Sequence, residues 1–133
     1  MNSALFARPN SVFAYEDPNN VTDFTGKEGY LVADSAGALT VSTSATVPAV
    51  AVVLDGLPPG RPTTLGTLGK VPPVRLRAGG NISAFDRLVQ NTAGQVVTDP
   101  GPGTPRVVVG LALEAAQAGD FFLADTSFPV IAS

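Results

Sequence analysis

LVQNTAGQVVTDPGPGTPRVVVGLALEAAQAGD, residues 88–120, reads in order as strand, turn, strand, Pro/Gly loop, strand, short cap and turn. A fainter copy of it lies 57 residues upstream. A gapless overlay puts Leu31, Val32, Ala36, Gly37, Pro48, Val50, Val52 and Leu54 on Leu88, Val89, Ala93, Gly94, Pro105, Val107, Val109 and Leu111, eight identities in 24 positions. Asp34 over Asn91 and Ser35 over Thr92 preserve turn chemistry. The pattern predicts one β unit used twice, with DSAG and NTAG as the same tight turn.

The whole chain of 133 residues is long enough to bury a core as one domain. Its hydrophobic share of 44% against 14% charged residues predicts apolar surface covered by a partner or by further copies. A net charge of -3 argues against nucleic-acid binding, which draws on clustered Lys and Arg. Cysteine is absent, which removes disulfides and thiolate chemistry. The first residues lack a positive start followed by an apolar run, and no stretch nears the roughly 20 apolar residues of a membrane span. The expectation is a soluble chain without a signal peptide, acting away from membranes.

Residues 1–25 hold four of the nine aromatics among Asn, Pro, Ser and Asp, with neither helical nor alternating period. Aromatic content is unusual for a disordered tail. This predicts an extended N-terminal arm that lays Phe6, Phe13 and Tyr15 on a neighbouring subunit, ahead of a single β domain at 26–133. Within that domain the repeat units run at about 26–57 and 83–124. Residues 30–34 and 38–42 form a hairpin, and the valine-rich run at 47–54 is a strand buried on both faces. Residues 57–73 form a Pro/Gly-rich excursion with at most short edge strands, 63–68 being one candidate. Arg75 and Arg77 then alternate, so a strand there places both on one face, opposite Val74, Leu76 and Ala78. They are the candidate basic patch for an acidic partner. The last strand is expected at 121–124, followed by a short tail in which Phe128, Val130 and Ile131 dock.

Histidine is absent too, which removes imidazole bases, the Ser-His-Asp and Cys-His constellations and the commonest metal ligand. The acidic residues sit mostly beside Gly or Pro, as in Asp17-Pro18, Asp55-Gly56, Asp99-Pro100 and Gly119-Asp120, where Asp serves local turns. A glycosidase-type carboxylate pair or a calcium loop is not legible. The expectation is a protein without catalytic residues, cofactor or metal.

The residues ISAFDRLV (82–89), NTAGQV (91–96) and VVVGLALEA (107–115) through Gly119-Asp120 make this region similar to the small capsid decoration, or cement, proteins of tailed bacteriophages. That family typically shows an "aGdxV…G.v" hairpin followed by "vvGvAlea…aGd". Here Phe85-Asp86 stands where the family more often has Gly-Asp. The likeness covers residues 75–123 well, the first repeat weakly, and not the N-terminal arm.

The repeated pattern predicts an all-β fold, a small β-barrel or sandwich of two related β units, and the resemblance implies an all-β protein on the outer capsid surface of a virion assembled in the host cytoplasm. Its implied partners are the major capsid protein and other copies of itself, as a homotrimer or dimer. Its function would be to stabilise the shell by bridging subunits. Two other readings stay open on the residues alone. One is a carbohydrate- or receptor-binding β module, disfavoured by the absence of Trp; the other is a head-completion or tail component.

Overall fold

A computed structural model describes residues 11–133. The fold is all-β. Among the described residues ten strands run in chain order: β1 (Val12–Tyr15), β2 (Leu31–Ser35), β3 (Ala38–Val41), β4 (Ala51–Asp55), β5 (Thr63–Thr67), β6 (Val74–Arg77), β7 (Arg87–Gln90), β8 (Val96–Thr98), β9 (Arg106–Ala112) and β10 (Phe121–Ala132). They make two antiparallel five-stranded sheets, ordered β1-β5-β4-β2-β3 and β6-β10-β9-β7-β8. The orders match strand for strand, so the second half of the chain repeats the topology of the first.

The expected duplication is present, and Leu31 and Val52 occupy the same core-facing places as Leu88 and Val109. The turns differ, however. Ser35 pairs with Ala38 across Ala36 and Gly37, both at positive φ (54° and 87°), the signature of a two-residue type I′ hairpin. In the second unit Gln90 pairs with Val96, and the Asn91 carboxamide oxygen accepts the Ala93 and Gln95 N–H groups inside a longer loop. DSAG and NTAG are therefore not one turn used twice. An Asn side chain that bonds backbone two and four residues ahead favours the wider loop.

Period-2 alternation decides which side chains meet. On β4, Val52 points into the main core while Ala51 and Val53 point to the opposite face of the same sheet. The main core joins both sheets, with Leu31, Val52 and Leu68 packed among Leu76, Leu88, Val96, Val107, Val109 and Phe122. A second cluster covers the other face of the first sheet: Val32, Ala51, Val53 and Leu65 lie under Phe24, with Phe13 and Tyr15 packed against them. Burial of both faces of one sheet accounts for much of the apolar content that pointed to an external partner.

From Ser11 onward, the residues expected as a separate arm are woven into this sheet. β1 pairs with β5 from Val12↔Gly66 to Tyr15↔Thr63. For the same reason β5 is an interior strand and not the edge strand expected within the proline-rich excursion. The chain from 16 to 25 is then tied down locally. Asp17 accepts N–H groups from Asn19, Val21 and Thr22, which lower its carboxyl pKa to about 2. Phe24 reaches the core because its carbonyl passes close over Gly56, where a Cβ would stand 1.9 Å from the Phe24 oxygen. Only glycine allows that approach.

The C-terminal residues also depart from expectation. β10 runs for 12 residues instead of four, pairing with β6 at its start and with β9 through Ala132, across an irregularity between Thr126 and Val130. Phe128, Val130 and Ile131 are exposed on it and do not dock.

Candidate functional site

Among the described residues no group of three or more His, Cys, Asp or Glu side chains is placed to hold a metal ion, and no helix is long and apolar enough to cross a membrane. The candidate functional features are therefore surfaces that a partner protein would meet.

The aromatic candidates come first in the chain. Phe6 lies outside the described residues. Phe13 and Tyr15 are half-buried on their own sheet. Tyr15 meets Phe24 edge to face, with ring centroids 6.4 Å apart, and its hydroxyl oxygen accepts the Leu39 N–H at 2.8 Å. The alternation Phe13-Ala14-Tyr15, read as aperiodic in its surroundings, is that of a strand with one face on the sheet. Tyr15→Phe is expected to cost about 1 kcal/mol in chemical denaturation, because it leaves the Leu39 N–H part-buried and unpaired.

Arg75 and Arg77 fall on β6, an outer strand of the second sheet, on the face opposite the buried Leu76. The alternation is as expected, yet the two side chains do different things. Arg77 is engaged by its own chain: Nε donates to the Glu28 carbonyl at 3.0 Å, Nη1 to the Gly119 carbonyl at 3.5 Å, and the guanidinium lies 4.7 Å from the centre of the Phe121 ring. It fastens the loop before β2 to the second sheet. Arg75 is half-exposed, and its Nη1 stands 3.4 Å from Glu114 Oε2, which also accepts the Leu123 N–H. An exposed pair of this kind contributes little to stability. Arg75 is thus the member of the patch whose charge is available outside the fold.

The surface formed by the described residues includes two depressions. One, of about 170 Å³, is lined mostly by small polar residues, Ser35, Thr40, Ser42, Thr43 and Ser44, beside Asp34 and Val41. The other, of about 330 Å³, is apolar and shallow, formed by Pro48, Ala49, Val50, Leu68, Phe128 and Pro129 around Thr67. The loop that forms its rim is held by buried Gln90, whose Oε1 accepts the Ala49 N–H and whose Nε2 donates to the Ser44 and Val47 carbonyls. Sequence reading missed this apolar hollow. It assigned Val50 to a strand buried on both faces and Phe128 to a docked tail, and only the pairing of the strands sets the two side by side.

No protein-family model matches the sequence, and no curated protein does. A solved structure shares the fold: the crystal structure of the head fiber gp8.5 N base in bacteriophage phi29 superposes with a TM-score of 0.58 at 21% identity, over 92% of this chain and 92% of that one.

Proposed function

We propose that this chain is a non-enzymatic structural protein of a bacteriophage virion, seated on the outer surface of the capsid and stabilising it by bridging major capsid protein subunits. The observation that carries the reading is the duplicated two-sheet fold held in common with a phage head fiber base over nearly the whole of both chains. The decoration-protein motifs of residues 82–120 support it, as does a sequence with neither histidine nor cysteine.

The physical logic is multivalent. Several modest contacts engaged together raise effective concentration and make a tight assembly. Binding that favours one state of the shell stabilises that state by mass action. Arg75, half-exposed on the outer strand of the second sheet, is the cation offered to an acidic shell surface, with Phe6 as a further contact from the N-terminal segment.

Copy number per virion, measured by quantitative mass spectrometry, is the direct test. Hundreds of copies are expected, whereas a dozen or fewer would make the chain a connector or tail part. Arg75→Glu should leave the melting temperature unchanged and lower capsid occupancy several-fold, with a loss that changes with ionic strength, since a rim charge acts through long-range attraction. Unchanged occupancy at low and high salt would remove Arg75 from the interface.

A further inference from the structure

The loops that lead into β2 and β7 have the same hydrogen-bonded frame. In the first unit the Gly29 N–H donates to the Val53 carbonyl, the Val53 N–H to Tyr30, and the Tyr30 N–H to Lys27, at 2.9, 3.0 and 3.0 Å. In the second the Phe85 N–H donates to Ala112, the Ala112 N–H to Asp86, and the Asp86 N–H to Ser83, at 2.8, 2.9 and 3.1 Å. Phe85 therefore holds the place of Gly29. Both are at positive φ, +85° for the glycine and +70° for the phenylalanine. That is a conformation glycine adopts freely and a bulky side chain rarely does.

The ring gains no burial to offset the strain, since Phe85 is 70% exposed. Nor does it hang on a loose loop. Asp86 Oδ2 accepts the Ser83 N–H at 2.9 Å and the Thr98 hydroxyl at 2.8 Å, bracing the turn beneath it. A large apolar side chain held outward, at a strained backbone, on a braced turn, is preorganised for a partner.

The same molecule carries an apolar surface hollow wide enough to take that ring. The hollow between Pro48–Val50 and Phe128–Pro129 has a volume of about 330 Å³ and apolar walls, and it is open to the surface. Its own Phe85 does not fill it, because that ring is exposed. We propose that Phe85 of one copy inserts into the hollow lined by Val50, Leu68 and Phe128 of a second copy. The contact is head-to-tail, so repetition closes a ring where the rotation permits. The proposal concerns copies of this chain and stands independently of what the assembly is attached to.

Sedimentation velocity on the full chain tests it. The wild type should show mass above the monomer, rising with concentration. Phe85→Gly should weaken association at least about tenfold, as loss of a buried aromatic anchor does. It should also leave the melting temperature unchanged or raise it by a few degrees, because glycine relieves the positive φ. Val50→Asp, at a side chain 44% exposed, should weaken association from the other side; Phe128→Ser, at 61%, serves the same purpose if the first variant folds poorly. An equal mixture of the knob-less and hole-blocked variants should form a heterodimer through its one intact junction. A wild type that is monomeric throughout, a Phe85→Gly chain that associates like the wild type, or a mixture that stays monomeric would overturn the proposal.

Discussion

Phe122→Ala is expected to lower stability by about 3–5 kcal/mol, measured by urea denaturation as a shift in midpoint with little change in slope. Phe122 is the largest of the fully buried side chains among the described residues and sits at the start of β10, opposite Leu76 of β6. Its ring lies in the core cluster that holds Leu31 and Val52 of the first sheet as well as Leu88 and Val109 of the second. Truncation therefore opens a cavity where the two units meet, walled by strands that cannot collapse into it without breaking their ladders. Phe121, one residue earlier, is the internal control. It faces outward beneath the Arg77 guanidinium, so Phe121→Ala should cost markedly less, despite removing the same atoms. Equal costs for the two variants would contradict the strand phase described here.

The second large effect is expected at Asp99, immediately after β8. Its Oδ1 accepts from Arg106 Nε and from the Gly101 N–H, and its Oδ2 stands 3.8 Å from the exposed Arg87 guanidinium. The Asp99 and Arg106 side chains are both buried, at 9% exposure. Asp99→Ala leaves the Arg106 guanidinium buried with only the Thr104 carbonyl as an acceptor, and should cost about 3–5 kcal/mol. The hydrogen bond from Gly101, together with Arg106, outweighs burial and holds the Asp99 carboxyl below its ordinary 3.8. A carboxylate depressed in the folded state stabilises fully above its unfolded pKa and loses that contribution as pH falls through the folded one. Stability should thus hold from neutrality to about pH 4 and decline below it. Asp99→Asn, less stable at neutral pH, should show a shallower acid decline. A decline as steep as that of the wild type would assign the acid sensitivity to other groups, Asp17 first among them.

The strands themselves were legible because the signals are local. Valine-rich runs, turn residues and the offset of 57 residues predict β2, β3, β4, β7 and β9 to within a few positions. They also put Arg75 and Arg77 on one face opposite Leu76. What misled was composition that has two physical outcomes. Prolines around Thr63–Thr67 suggested an edge, yet β1 adds beside β5 and makes it interior, and no local residue of β5 signals that arrival. Aromatics at positions 13, 15 and 24 signal burial without saying against what; the outer face of the first sheet supplies the answer. The two arginines share a face, but Arg77 is drawn inward by the Glu28 carbonyl, 49 residues away in the chain.

Position 85 shows the same division at one residue. By itself the sequence determined that a β unit occurs twice and that a turn precedes Leu88. It did so because turn chemistry and period-2 patterning act over a few neighbouring residues. Tertiary structure alone decided that this backbone is left-handed, that the ring is exposed, and that an apolar hollow opens between Val50 and Phe128. Those facts depend on which strands lie beside which, and strand pairing is set by the packing of the whole chain around a shared core, not by any stretch read alone.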